Sequence, residues 1–256
     1  MNIKNYLIGA VHPIKSSQWA WKDRSDEGDL YTLYKEMYKI SRASFSKFLQ
    51  GPYEEIVYQD PIEVVTQSSK LAWQRIYELW HSEKCNILAC GPDVQVVKPL
   101  KIYNTFKEFR LFNWTDPKTY DEPNGVFSLP AYFNADMLYI PHNMNPDVWT
   151  VFLEFNKTIW TDDTNVQNYG LDQIMANMMF WSQNMFWEDA HRPDLFYQAQ
   201  WLPWGLVRDS DLWNEGKFSD AKVIHWHSSR DAKTKLECMR LLNSINDVGP
   251  YTGNLI

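Results

Sequence analysis

Two residues that can bind metal ions follow apolar segments of the sequence. Asp93 lies in a Gly-Pro turn directly after residues 86–90, and His225 ends the short apolar run at residues 221–225. Ligands of an open α/β sheet bind outside the carboxyl ends of its strands, and a divalent cation held there by a carboxylate can neutralise a diphosphate. His227 would share the face of His225 on a strand. Asp93 and His225 also fit structural roles, as a turn aspartate and a hydrogen-bonded core histidine.

Two further groups of polar residues stand at predicted helix starts. Asp172 and Gln173 open a helix whose other face is apolar, so we expect both side chains to point away from the core. Arg230 and Lys233 follow two serines at the start of the last helix, which is a plausible cradle for a phosphate group. The alternatives are an aspartate that favours the helix dipole and a serine cap followed by a solvated charged turn.

These side chains need a scaffold, and the sequence predicts one in which strands alternate with helices. Such alternation is typical of parallel strands joined by crossover helices. We therefore expect an α/β fold, with a mostly parallel central sheet and flanking helices, in a single domain over residues 1–256. The predicted strands lie at residues 6–11, 55–58, 86–90, 109–113, 135–140 and 221–225, with a further apolar segment at 94–97. The predicted helices lie at residues 30–48, 68–80, 171–179 and 231–245.

The composition excludes several classes of protein. No apolar run reaches the roughly 18–20 residues that span a bilayer, so we expect no membrane span. Three cysteines without metal-type spacing are typical of a reducing compartment and predict a cytoplasmic protein. A net charge of -7 argues against a broad nucleic-acid surface. The glycine motifs of dinucleotide-binding, P-loop and serine-hydrolase folds are all absent from the sequence.

Aromatic residues make up 16% of the chain, and such rings either fill a core or form flat platforms for sugars and bases. Many of the tryptophans fall between the predicted helix at 171–179 and His225. We expect packing to account for most of them and a sugar platform for a few. The platform candidates are Trp181, Trp187, Trp201, Trp204 and Trp226.

Taken in order, several segments resemble the GT-A-fold nucleotide-sugar glycosyltransferases, and among them the glycogenin-like and galactosyltransferase-like retaining enzymes. The resemblance covers about residues 5–235, and it depends on the order and spacing of motifs that are individually loose. The segments that carry it are Asp93 followed by Lys98-Pro99-Leu100, Asn134-Ala135-Asp136 before an apolar strand, Asp172-Gln173 at a helix start, and His225 after a short strand.

The resemblance implies a transferase that moves a sugar from a nucleotide-diphosphate sugar to an acceptor, with retention of configuration and with the assistance of Mn²⁺ or Mg²⁺. Asp93 and His225 would bind the metal ion. Asp172 and Gln173 would contact the donor sugar near its anomeric carbon, as the catalytic pair. The acceptor is not readable from the sequence: a glycan, a lipid-linked sugar, a protein and a modified nucleic-acid base all remain open.

The resemblance also implies where the nucleotide binds. Val11 and His12, at the end of the first strand, would receive the base. Arg230 and Lys233 would bind the pyrophosphate, since they stand in a segment that replaces the family's usual Gly and Lys-Pro-Trp ending. Gly91 stands where the family has the first Asp of its Asp-x-Asp motif, so one usual metal contact is missing.

Two other functions compete with this interpretation. The chain would be a non-catalytic carbohydrate- or nucleotide-binding protein on the same scaffold if the missing aspartate at Gly91 has abolished activity. A metal-dependent hydrolase using Asp93, His225 and His227 ranks last, because the sequence offers no second cluster of carboxylates and histidines.

Overall fold

The computed structural model describes residues 3–13, 30–62, 66–115, 132–160, 171–183, 196–198, 222–226 and 232–253. Within these ranges strands and helices alternate up to β3, four strands from β3 to β6 then follow one another, and α3 and α4 are consecutive helices. The strands are β1 (Asn5–Ala10), β2 (Glu54–Tyr58), β3 (Asn86–Cys90), β4 (Val94–Val96), β5 (Arg110–Thr115), β6 (Tyr132–Ile140), β7 (Phe196–Gln198) and β8 (Val223–His225). The α-helices are α1 (Leu30–Phe48), α2 (Thr66–Glu83), α3 (Trp149–Thr158), α4 (Leu171–Trp181) and α5 (Ala232–Ile245), and a short 3-10 helix at Pro146–Val148 precedes α3.

The central sheet has five strands in the order β2-β1-β3-β6-β5. Strand β1 pairs in parallel with β2 and β3, whereas β6 is antiparallel to both β3 and β5. The α/β class with helices around a central sheet is therefore confirmed, but the sheet is mixed where we expected it to be mostly parallel. The parallel pairs follow helical crossovers, which such pairs require, and the antiparallel pairs do not depend on a crossover.

A second, smaller sheet extends from the carboxyl end of β3. It has the order β4-β8-β7, in which β8 pairs antiparallel with β4 and parallel with β7. Strand β4 begins four residues after β3 ends, across the turn that carries Asp93. The small sheet thus brings the C-terminal strand β8 to the edge where the parallel strands end.

Helix α1 lies against the sheet through a buried arginine. Arg42 is 1% exposed, and its Nη2 donates to the carbonyl oxygens of Ile8 at 3.2 Å and Cys90 at 3.1 Å. The guanidinium also stacks on the ring of Tyr38, 4.4 Å from its centroid. Gly9 permits this approach, because a Cβ there would lie 2.3 Å from Arg42 Nη2. The arginine joins the carboxyl ends of β1 and β3.

The aromatic residues account for much of the core. Helices α2, α3 and α4 bury one continuous cluster against the sheet, in which Trp73, Trp149 and Phe152 pack with ring centroids 5.9–6.5 Å apart. A second cluster lies between α1 and α5 and includes Trp226. Packing is therefore the role of most aromatic residues in the described part of the chain, as expected.

The predicted elements compare closely with the observed ones. Each predicted strand and helix has a counterpart, and the apolar segment at 94–97 contains β4. Strand β7, and α3 with its preceding 3-10 helix, were not predicted. Much of the tryptophan-rich segment before His225 lies outside the described residues, namely 184–195 and 199–221. No helix among the described residues is long and apolar enough to cross a bilayer. The single domain over residues 1–256 stays a prediction.

Candidate metal centre

Two carboxylates and one imidazole converge at the carboxyl end of β3. Asp93, Asp136 and His225 each offer one ligand atom, and these atoms all lie within 4.8 Å of one another. We call these three residues the Asp–Asp–His centre. The spacing is suitable for a single metal ion, so this group can hold one.

Main-chain hydrogen bonds bring the three residues together. The amide of Gly91 donates to the carbonyl of Asp136 at 2.7 Å, which fixes β6 beside the turn after β3. The antiparallel pairing of β4 with β8 sets His225 opposite Val94, one residue after Asp93. The amide of Trp226 then donates to the carbonyl of Asp93 at 2.9 Å. The centre is thus supplied by three parts of the chain that are remote in sequence.

The side chains of the centre lie within short distances of each other. His225 Nε2 is 3.0 Å from Asp136 Oδ2 and 3.7 Å from Asp93 Oδ1. The side chains of His225 and Asp93 are 1% and 10% exposed, whereas that of Asp136 is 45% exposed. Solvent, and any ligand, therefore reaches the centre on the side of Asp136.

The electrostatics of the centre favour an ionised Asp136. Burial alone favours the neutral acid, but the charge and hydrogen bond of His225 hold the pKa of Asp136 below its usual range. Burial likewise favours neutral imidazole, yet the charge of Asp136 raises the pKa of His225 above its ordinary value. The amide of Asp136 also donates to Asn134 Oδ1 at 2.8 Å, which anchors the strand locally.

The donor set and the space around it fit a divalent cation. Carboxylate oxygens suit Mg²⁺ and Mn²⁺, and an imidazole nitrogen suits Mn²⁺ and later transition metals. Gly91 lies against the centre, since a Cβ there would be 3.2 Å from Asp93 Oδ1 and 3.4 Å from Asp136 Oδ1. The glycine therefore leaves open the space between the two carboxylates.

Asp136 is the member of the centre that our sequence analysis missed. Asp93 and His225 were both chosen as metal ligands, and the structure brings them together. Asp136 enters the sequence analysis only within the segment Asn134-Ala135-Asp136, which carries part of the resemblance. The signal that would have identified it was an acidic residue within the apolar strand 135–140, with glycine at position 91 where a carboxylate was expected.

The predicted catalytic pair lies at the start of α4. Ser69 Oγ donates to Asp172 Oδ2 at 2.9 Å. Burial raises the pKa of Asp172, and the negative charge of Asp136 raises it further. The two carboxylates therefore interact electrostatically. Gln173 is 8% exposed, contrary to our expectation that it points away from the core, and its Nε2 has no hydrogen-bond partner within the described residues.

The predicted base-binding residues follow β1. Val11 is 4% exposed, and its amide donates to the carbonyl of Tyr58 at 2.9 Å. His12 is 6% exposed, with Nδ1 2.9 Å from the carbonyl oxygen of Asp60. That contact makes Nδ1 the donor and leaves Nε2 as an acceptor, and Nε2 has no partner in the described part of the chain. Burial lowers the pKa of His12 and so favours the neutral ring.

The remaining predicted residues are less informative. Lys233 lies on the first turn of α5 with an exposed side chain. Arg230 and His227 lie outside the described residues, as do three of the platform tryptophans: Trp187, Trp201 and Trp204. Trp181 is only partly exposed and packs against the ring of Phe180 with centroids 5.2 Å apart.

Trp226 is not a sugar platform in this structure. Its side chain is 2% exposed, and its Nε1 donates to Gln95 Oε1 at 2.7 Å. The indole belongs to the core between α1 and α5 because β8 turns this side chain away from solvent. Our prediction for Trp226 is therefore wrong.

Comparisons with known proteins find a distant structural likeness. No family model matches the sequence, and no curated protein matches it. The backbone is similar to the crystal structure of a glycosyltransferase involved in the glycosylation of the major capsid of PBCV-1. The two share 11% sequence identity and a TM-score of 0.45, over 93% of this chain and 99% of that chain. A likeness this distant carries no argument about function.

Proposed function

We propose that this protein is a glycosyltransferase that moves a sugar from a nucleotide-diphosphate sugar to an acceptor, with the assistance of Mn²⁺ or Mg²⁺. The observation that carries the proposal is the convergence of Asp93, Asp136 and His225 at the carboxyl end of β3. Sequence analysis had selected two of these residues for that role, from separate parts of the chain.

The centre has the chemistry that such a reaction needs. Breaking a sugar–phosphate bond releases a diphosphate, and a bound divalent cation stabilises the charge that develops on it. Asp93, Asp136 and His225 hold that cation in this proposal. Lys233, and Arg230 beyond the described residues, supply further positive charge to the diphosphate.

Residues at the start of α4 would contact the donor sugar during the reaction. The anomeric carbon becomes positively charged as the bond breaks, and a nearby carboxylate or amide oxygen stabilises it. The charge of Asp136 contributes to the raised pKa of Asp172, which supports a position of Asp172 beside the same site. Gln173 holds a buried amide donor without a partner, and a sugar hydroxyl would satisfy it. We assign these two residues to the donor sugar, with retention of configuration.

The nucleotide would bind along the ends of β1 and β3, with the base near Val11 and His12. His12 presents a buried acceptor, Nε2, that an N–H group of a base can satisfy. The acceptor substrate stays open among a glycan, a lipid-linked sugar, a protein and a modified nucleic-acid base. A cytoplasmic location stays a prediction from the cysteine content.

Donor turnover tests the proposal. The protein is incubated with UDP- and GDP-sugars in Mn²⁺ or Mg²⁺, and released nucleoside diphosphate is measured, with the anomeric configuration of the product read by NMR. We expect release that stops with EDTA and in Asp93→Asn, and that falls in Asp172→Asn. Asp147→Asn, which neutralises an exposed carboxylate before α3, is the matched control and should behave as the wild type.

A non-catalytic binding protein is the second candidate, and one observation favours it. Lys235 Nζ lies 2.6 Å from Asp93 Oδ2, so Asp93 already has a cationic partner without a metal ion. Calorimetry with UDP separates the two functions. Binding of UDP without turnover of any donor would favour the binding protein, and turnover that depends on Asp93 would exclude it.

A further inference from the structure

A buried lysine of α5 reaches the Asp–Asp–His centre. Lys235 is 2% exposed, and its Nζ lies 2.6 Å from Asp93 Oδ2. Lysine is almost never fully buried unless its charge is paired. The ion pair with Asp93 therefore explains how this side chain is accommodated, and it places a fixed positive charge at the candidate metal centre.

The two oxygens of Asp93 have different neighbours. Oδ2 meets Lys235, whereas Oδ1 lies 3.7 Å from His225 Nε2. Oδ1 is also the oxygen beside Gly91, where the carboxylate of Asp136 approaches from the other side. A cation at the centre would thus use Oδ1, and the ammonium of Lys235 would stay on the opposite oxygen of the same carboxylate.

The charges of the centre are partly balanced before any ion arrives. When His225 is neutral, as a metal ligand must be, the two carboxylates contribute two negative charges and Lys235 one positive charge. A divalent cation therefore meets a smaller net attraction than the carboxylates alone would provide. At a separation of about 5 Å, a unit charge repels a divalent cation strongly enough, even at the dielectric constant of water, to weaken binding by roughly tenfold or more.

We propose that Lys235 is a resident counter-cation that weakens the binding of divalent metal ions at the Asp–Asp–His centre and stabilises Asp93 when no ion is bound. The inference rests on the cation site of the proposed function, and it is independent of whether sugar transfer occurs. It predicts a centre that keeps its arrangement without metal and takes up Mn²⁺ or Mg²⁺ only weakly.

Metal titration of a neutral variant tests this role. Mn²⁺ is titrated into wild-type protein and Lys235→Met by calorimetry, and we expect the variant to bind about tenfold more tightly or better. The variant should also melt at a lower temperature without metal, because Asp93 loses its partner, and Mn²⁺ should raise its Tm more than that of the wild type. Lys235→Gln is the second neutral variant, should the methionine protein fail to fold.

Two controls make the result specific. Arg240→Gln removes a positive charge from the exposed face of the same helix, where Arg240 is 57% exposed, and should leave Mn²⁺ affinity unchanged. Lys235→Arg keeps the charge and should bind no more tightly than the wild type.

The possible results separate this inference from the cation site itself. Tighter binding by the neutral variants, including binding seen only in them, supports the role of Lys235. Unchanged or weaker binding, with the wild type still binding Mn²⁺, overturns the role while leaving the cation site intact. Absence of binding in the wild type and in both neutral variants overturns the role and the cation site together.

Discussion

Replacing Asp136 with asparagine tests whether the carboxylate that β6 supplies takes part in metal binding. Asparagine has nearly the same shape, and its amide oxygen can still accept a hydrogen bond from His225. The side chain is 45% exposed, so we expect little loss of stability. The change therefore removes one negative charge from the Asp–Asp–His centre, and with it the charge that raises the pKa of His225.

The size of the effect follows from the geometry of the centre. Its ligand atoms lie within 4.8 Å of one another, and a divalent cation coordinates a carboxylate oxygen at about 2.0–2.6 Å. Because Asp136 is half-exposed, the dielectric constant of water is appropriate, and the lost attraction to a divalent ion is about 3 kcal/mol. The dissociation constant for Mn²⁺ should rise by roughly a hundredfold.

Isothermal titration of Mn²⁺ into the wild type and Asp136→Asn measures this change. Asp147→Asn, which neutralises an exposed carboxylate before α3, is the matched control and should bind Mn²⁺ as the wild type does. If Asp136→Asn bound Mn²⁺ with the wild-type dissociation constant while Asp93→Asn was weakened, Asp136 would not be a ligand and the reasoning from its position would be refuted.

Three further predictions follow from particular contacts. Gly9→Ala should lower the free energy of unfolding by about 1–3 kcal/mol, because its Cβ would lie 2.3 Å from Arg42 Nη2; an unchanged urea midpoint would contradict this. Burial raises the pKa of Cys85 and of Cys90 to about 12, so both thiols stay protonated, and iodoacetamide at about pH 8 should modify neither until the protein unfolds. Mass spectrometry of the native protein measures the modification of each thiol, and rapid labelling of either one would contradict the prediction. Gly91→Ala should weaken Mn²⁺ binding with little change in Tm, because its methyl group would enter the space 3.2 Å from a carboxylate oxygen of the centre; wild-type affinity would argue against that crowding.

Local patterns made most of the elements predictable. Helices α1, α2, α4 and α5 carry apolar residues at helical spacing, and β1 and β3 are short apolar runs between polar segments. Helix α3 was missed, although its buried residues Trp149, Phe152 and Phe155 recur every third position. The prediction of mostly parallel strands was wrong, because the antiparallel pairing of β6 with β3 depends on contacts between distant segments.

The site was predictable only where a residue ends a strand. Asp93 and His225 follow apolar runs, so their place at the carboxyl edge could be inferred. Asp136 lies inside β6, and only the pairing of that strand beside Gly91 brings its carboxylate to the same edge. Lys235 would be taken for a surface residue from its type, and its burial at 2% exposed becomes explicable only through Asp93.

The proposed function depends on whether the Asp–Asp–His centre binds a divalent cation together with the diphosphate of a nucleotide. Anomalous diffraction from a crystal soaked with UDP and Mn²⁺ tests this directly. We expect one manganese peak coordinated by Asp93, Asp136 and His225 and bridged to the diphosphate. A nucleotide bound elsewhere, or a soaked crystal with no manganese peak at these three residues, would contradict it.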